Sequence, residues 1–547
     1  MFKESAVLPL VGGKGSKPSP IQRRIADKAL NNVIEPFPNY ADINFGPDFN
    51  WEHKEPGIET SYQLYLQNLR VVGYLLAEYE QTGVIDYLSK ANEIVESWLR
   101  YVEAGGSTEM TWYDHAVGAR SRVLMQFLCS MEVAGKPFDE ERFAAILQKH
   151  AELLMDDSLH RMNNHGLMMD MALISLGLGM DRRDYVYRGI GRAESIFWQT
   201  FSETGMHQEN SPEYHNMVSR MFQELEDFLN ANDLSLGKDV MTKLHYTAKH
   251  MQRIAKPDGK VPNIGDSGSQ KKVDSFNWDS FHDEMSGFTV LKDQGAEMYL
   301  AFICGYSAKA HKHADDLSVL LNYRSKDFFI DSGKYNYGKN KFRSFVVSYR
   351  GHSSFSAGRP YSRPDNNRYT KTIATDHFLD AREIKLVSGY NDGVENAKLR
   401  RSVYALPGRN LILIRDQGAS KTKENWTHRF VLSPEVEVEE LSDGTVKLIN
   451  GDTQVFLSWD GTDKPDLAVE HGTIGDSSVK AVVSTATNKV VKTTHLVYTH
   501  SPSQSVDAIL RISLGSPACD HADSAESCLR VSGPDDTRPF DLPTFDF

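Results

Sequence analysis

The chain has 547 residues, 40% apolar and 25% charged, with a formal net charge of −13. That length exceeds one compact core and predicts two or three domains of a globular protein. The acidic balance argues against general nucleic-acid binding, and no run approaches the roughly 20 apolar residues of a membrane span.

Four cysteines, Cys129, Cys304, Cys519 and Cys528, are too few for a disulfide scaffold, and no Cys-x-x-Cys pair offers a thiolate metal site. Cys519 and Cys528 are close enough in sequence to pair, which matters only in an oxidising compartment. The opening "MFKESAVLPLVGGKGSKPSP" lacks the basic-then-apolar order of a signal peptide. As written the chain reads as cytoplasmic, or as periplasmic or secreted if a signal has been trimmed.

Residues 1–55, rich in Pro, Gly and Asn, read as an N-terminal arm without a sustained period. Over 56–270 the period is helical. Segments such as "SYQLYLQNLRVVGYLLAEYEQTG", "TWYDHAVGARSRVLMQFLCSME" and "YHNMVSRMFQELEDFLNAN" repeat apolar residues three and four apart. At least eight helices follow in hairpin order, which predicts a bundle, solenoid or toroid. "KPDGKVPNIGDSGSQKK" (256–272) interrupts the pattern with Pro, Gly and Asp. Over 271–515 the period becomes two, as in "EMYLAFICGY" and "RNLILIRDQG", and predicts a β-sheet domain before a tail at 516–547. Helices first and strands after make an α+β, multidomain chain.

Several polar groups stand out against this frame. The buried-looking helix "LMMDMALISLGLGM" opens on Asn163, Asn164, His165 and Gly166, where side chains cap the helix or face a cleft. "SPEYH" places Pro212 and Glu213 at a helix start, with Tyr214 and His215 in its first turn. His115 and Arg120 lie five apart on an earlier helix. In "GYSAKAHKHADDLSVLL", His311 and His313 would share a face if strand-like. Asp331 ends an apolar run and His352 follows it, and His, Asp and His suit a borderline divalent cation. From Lys334 to Lys371 the chain carries nine Lys or Arg residues, Arg350, Arg359 and Arg363 among them, against one acid, Asp365. Such a strip on an acidic protein predicts a local anionic ligand.

Asn-His-Gly at a helix start, Ser-Pro-x-Tyr-His about 50 residues later, His-x-His-x-Asp, and "DSGKYNY" occur here in that order, with "VPNIGDS" at the domain junction. Over roughly residues 60–500 this order resembles the heparinase II/III-like polysaccharide lyases, whose relatives include alginate, heparin and heparan sulfate lyases. The resemblance implies an N-terminal α/α toroid (an incomplete barrel) followed by an antiparallel β-sandwich domain. It implies Asn164 and His165 as the pair that neutralises a carboxylate, and Tyr214 and His311 as catalytic residues. His313, Asp331 and His352 match its metal ligands, for zinc first and manganese or calcium as alternatives. Ser353-Ser354 stands where the family usually has Asn-Thr, and Tyr337 matches a second tyrosine by spacing. His115, Arg120, Glu209, Tyr337, Arg350, Arg359 and Arg363 are the expected substrate contacts.

The implied reaction is β-elimination on a uronate-containing polysaccharide, leaving a 4,5-unsaturated uronate. The C5 proton leaves only if charge building on the adjacent carboxylate is stabilised, which suits Asn164 and His165 as donors. Tyr214 or His311 would take that proton, and Tyr214 would protonate the glycosidic oxygen. The expected partner is an anionic polysaccharide or oligosaccharide, with no nucleic acid and no membrane. Two other readings compete: a glycoside hydrolase using Glu209, Glu213 or Asp170 as its carboxylates, and a non-catalytic binder of anionic carbohydrate.

Overall fold

A computed structural model describes residues 6–8, 17–247, 249–268, 272–359, 372–461, 464–475 and 478–517. Expectations that fall on Arg363, Arg368, Lys371, Cys519, Cys528 and the tail from 518 lie outside the described residues. The chain divides into two compact units, 1–201 with 218–245, and 202–217 with 246–547.

Ten helices lead the described residues: α1 (Pro20–Leu30), α2 (Glu59–Gln67), α3 (Arg70–Thr82), α4 (Ile85–Glu103), α5 (Asp114–Val133), α6 (Glu140–Met155), α7 (Asn164–Gly179), α8 (Arg183–Thr200), α9 (Pro212–Asn230) and α10 (Lys238–Thr247). α3, α5 and α7 pack on one another as well as on the helices next to them in sequence. α5 and α7 are buried on nearly every side, whereas α4, α6 and α8 keep an exposed face. An inner row of largely buried helices backed by an outer amphipathic row is the packing logic of an α/α toroid, here incomplete.

α1 lies where the sequence shows no sustained period. It forms because Ser19 and Gln22 close a capping box, Pro20 pre-sets the first turn, and Ile25, Ala26 and Ala29 pack into the core. The periodic stretch 61–83 is not one helix. Leu69 adopts a left-handed conformation (φ 57°, ψ 35°) that separates α2 from α3.

The second unit begins its own helical content with α11 (His250–Ile254) and continues as antiparallel sheets. A five-stranded meander runs β1 (Phe281–Asp283), β2 (Phe288–Asp293), β3 (Met298–Ile303), β4 (Ser318–Tyr323) and β5 (Lys326–Phe329). An eight-stranded sheet is centred on Leu411–Glu424, with Ala397–Leu406 on one side and Ser503–Leu514 on the other. A four-stranded sheet joins Asp466–His471, Thr494–Thr499, Thr427–Val431 and Phe355–Ser356. Their inner faces share one core, in which Phe302, Leu321, Trp426, Phe430, Leu457 and Leu510 are buried together. Two faces closed on a common core make a β-sandwich. The observed class is therefore α+β, an incomplete α/α toroid followed by antiparallel sheet. Residues 246–270 and 202–217 group with the sheet unit. No helix among the described residues is long and apolar enough to cross a membrane.

Candidate active site

In the helical unit, the start of α7 is built by Asn163. Its Oδ1 accepts the backbone N–H groups of His165 (3.0 Å) and Gly166 (3.3 Å), so Asn163 is the cap. That leaves Asn164, half-buried at the first helical position, with no side-chain partner among the described residues. His165 Nδ1 lies 3.5 Å from Asp114 Oδ1, and its ring packs 5.3 Å from that of His115. Burial, with the fields of His165 and Arg70, pushes the His115 imidazole down to about 4, so it is neutral at pH 7.

In the sheet unit, the Tyr214 ring stacks on His311 with centroids 3.5 Å apart. The Tyr214 hydroxyl is 2.8 Å from that of Tyr337, which lies 3.3 Å from His311 Nδ1. His311 Nδ1 is also 2.9 Å from Asp266 Oδ2, and its Nε2 is 3.6 Å from Glu209 Oε2. With Asp266 as acceptor, His311 donates its Nδ1–H and turns Nε2 away from Asp266. Burial, offset partly by the Tyr337 hydrogen bond and reinforced by the charges of Asp266, Glu209 and Glu213, pushes the Tyr214 phenol up to about 12. Tyr214 therefore holds its proton at neutral pH.

Asp266 is the hub. Its burial would favour the neutral acid, but hydrogen bonds from His311, His313 and Arg343 outweigh that and hold it far below the ordinary carboxylate range. Its loop reaches them because Gly265 sits at φ +55°. A Cβ there would collide with the Asn210 carbonyl and lie 3.0 Å from the His311 carbonyl. Beside Tyr214, Glu213 accepts from Gly268 N (2.5 Å) and Lys334 Nζ (3.0 Å).

Next to this hub His313, Asp331 and His352 are buried, with one potential ligand atom from each lying within 4.8 Å of the others. His313 Nε2 donates to Asp266 (2.8 Å) and His352 Nδ1 to Asp331 (2.8 Å). Their other nitrogens, His313 Nδ1 and His352 Nε2, are buried without a partner among the described residues. Two orphaned imidazole nitrogens close to the Asp331 carboxylate, with the His313 ring oriented by Asp266 behind it, are a donor set that fits a divalent metal ion.

Other expected positions differ. His311 lies in a turn at φ +59° rather than on a strand, and Asp331 and His352 follow β5 and a short 3-10 turn. Arg120 is no substrate contact. It is fully buried, donates to His150 Nε2 and to the carbonyls of Gln67 and Thr111, and lies over Trp98. Arg359 is held by Glu424 and the Glu395 carbonyl, and Arg350 is exposed over Phe345. The basic strip thus gives Arg343 to Asp266 and Lys334 to Glu213, and Arg359 to neither. No sequence pattern marks Asp266 or Arg343 as a site residue by itself, although Asp266 sits within the "VPNIGDS" motif.

The "Heparinase II/III N-terminus" family model matches residues 16–289, and the "Heparinase II/III-like, C-terminal" model residues 277–513. The chain belongs to the heparinase II/III-like family. No curated protein matches it by sequence. Among solved structures, heparinase III is similar at 17% identity and a TM-score of 0.77, over 95% of this chain and 88% of that one. Heparan sulfate lyase HepC from Pedobacter heparinus is similar at 17% identity and 0.66, over 94% and 86%. Chondroitin AC lyase from Streptomyces coelicolor gives 10% and 0.56, over 93% and 83%.

Proposed function

We propose that this protein is a polysaccharide lyase that cleaves a uronate-containing polysaccharide by β-elimination, in keeping with its family and with the lyases it is similar to. The observation that carries the reading is the stack of Tyr214 on His311, closed by Tyr337 and anchored on Asp266. Asn164 and His165 donate to the uronate carboxylate and stabilise the negative charge that builds as C5 loses its proton. His311, its Nδ1–H held by Asp266, takes that proton at Nε2. Tyr214, protonated at neutral pH, gives its own proton to the departing glycosidic oxygen and recovers one through Tyr337.

The carboxylates that a hydrolase would use are engaged. Glu213 is tied to Lys334 and Gly268, Glu209 faces His311, and Asp170 is buried against His160. His313, Asp331 and His352 would hold the metal, for which zinc is proposed, since neutral imidazoles with one carboxylate suit it. A bound cation there supplies positive charge behind the hub and ties three loops together. Incubation with alginate, heparan sulfate, chondroitin and hyaluronan tests the reading. Elimination gives a C4–C5 double bond conjugated to the carboxylate, which absorbs in the ultraviolet. Reducing ends without absorbance would mean hydrolysis.

A further inference from the structure

Arg70 opens α3 directly after the left-handed Leu69. Its guanidinium lies over three rings, 5.3 Å from the centroid of Phe37, 5.5 Å from Tyr65 and 5.7 Å from Tyr74, and its Nε donates to the Tyr74 hydroxyl at 2.7 Å. Phe37 and Tyr65 stack on each other at 4.1 Å, and Tyr40 meets both edge-on. Arg70, Phe37, Tyr40 and Tyr65 are all half-buried.

Arg70, like the buried Arg120, has no anion beside it, but Arg120 spends its N–H groups on His150 and two carbonyls whereas Arg70 uses only its Nε. Elsewhere in this unit Arg24 pairs with Glu35, Arg142 with Glu96 and Glu103, and Arg192 with Asp157. No carboxylate lies within ion-pair distance of Arg70 among the described residues, and its two terminal amino groups have no partner there. Ring faces attract the cation but accept none of its remaining N–H groups, so a planar fork is left to bind an incoming anion. Arg70 opens α3, which packs on α5, and the first turn of α5 carries His115, whose ring packs on His165.

We propose that Arg70, walled by Phe37, Tyr40 and Tyr65, is a binding subsite for an anionic sugar. Its guanidinium takes a uronate carboxylate or a sulfate ester, and the rings take the apolar face of the sugar. The assignment rests on the lyase reading, since it makes this sugar a neighbour of the one being cleaved. Amphipathic aromatic walls and one bidentate cation select for charge on a ring-shaped ligand rather than for a free ion.

The test is calorimetric titration of the full chain carrying Tyr214→Phe, with and without Arg70→Ala. The probes are a sulfated heparin tetrasaccharide, an unsulfated glucuronate-containing tetrasaccharide of the same backbone, and neutral cellotetraose. Arg70→Ala is expected to weaken the first two by about 10- to 100-fold, the worth of a charge-assisted hydrogen-bond pair, and to flatten their salt dependence. A loss confined to the sulfated probe assigns the sulfate, and a loss on both assigns the carboxylate. Arg70→Lys, which keeps charge but not the fork, should recover only part. In the active enzyme Arg70→Ala should raise KM more than it lowers kcat. If Arg70→Ala does not fold, Arg70→Gln, which can still donate to Tyr74, takes its place. A folded variant that binds both anionic probes as tightly as Arg70 does, or that weakens cellotetraose equally, overturns the subsite, as does failure of the Tyr214→Phe chain to bind either anionic probe. These titrations need no turnover, so they fail independently of the ultraviolet assay on which the lyase reading depends.

Discussion

Tyr214 lies flat on the His311 imidazole, the planes 20° apart and the centroids 3.5 Å apart, while the hydroxyl of Tyr337 touches both residues. In the proposed reaction Tyr214 and His311 are the acid and the base, and the hydroxyl of a third residue in contact with both lets a proton pass between them without large movement. Tyr214→Phe removes one oxygen and keeps the stack, so folding should be nearly intact. Turnover should fall by roughly 10²–10⁴-fold, the usual range for a general acid or base. Initial rates of ultraviolet-absorbing product, wild type beside variant, check this. A Phe variant as fast as wild type would remove Tyr214 from the chemistry. Tyr337→Phe should cost less, since it leaves both transfer groups in place.

Asn164→Ala should lower kcat by about 10²–10³-fold, the size of effect seen when one donor to a developing oxyanion is lost. Because Asn163, not Asn164, caps α7, the variant should melt within a degree or two of wild type. A large fall in Tm with unchanged kcat would return Asn164 to a structural role.

Metal content is checked by elemental analysis of protein purified without added metal, where about one zinc per chain is expected. His313→Ala and His352→Ala should each lose it. At a hundredfold excess over Kd, a bound ion contributes about 3 kcal/mol of stability, so chelation should lower Tm as well as activity. A metal-free protein of full activity and unchanged Tm would end the metal assignment.

Arg120→Ala should unfold the helical unit more readily by roughly 2–5 kcal/mol, because it strands buried acceptors on Gln67, Thr111 and His150. Denaturant titration measures this. A KM effect without loss of stability would contradict the buried role.

Lys292 is buried beside Phe276, with its Nζ donating to the Asn277 carbonyl, and burial lowers its ammonium from the ordinary 10.5 to about 7. Between pH 7 and 10.5 the unfolded chain keeps a proton that the folded chain has released, so this residue makes stability rise with pH across that window. Denaturation midpoints at pH 7 and 9 should show the rise in wild type and not in Lys292→Met, other groups contributing alike to both. Identical slopes would place the charge elsewhere.

The sequence made legible those features that are local or strongly periodic. Helix starts at Asn163 and Ser211-Pro212 announce themselves by capping chemistry, and the change of period near 270 marks helices giving way to strands. Features that depend on tertiary contact did not show. Asp266 becomes the hub only because a turn 45 residues away and a short helix 77 residues away in sequence bring His311 and Arg343 onto it. Arg120 looked available because periodicity identifies an apolar face only when another face is polar, and α5 is buried nearly all round. The helix break at Leu69 lies inside an unbroken apolar pattern with no Gly or Pro to announce it, and the left-handed turn at His311 looks like strand alternation for the same reason.

Gly265 carries no functional group, yet its missing methyl is what lets the Asp266 loop slide beneath Asn210 and His311. The smallest possible enlargement, one carbon at position 265, displaces Asp266 from His311 and His313 together. An inventory built only from reactive side chains would pass over the position on which their meeting depends.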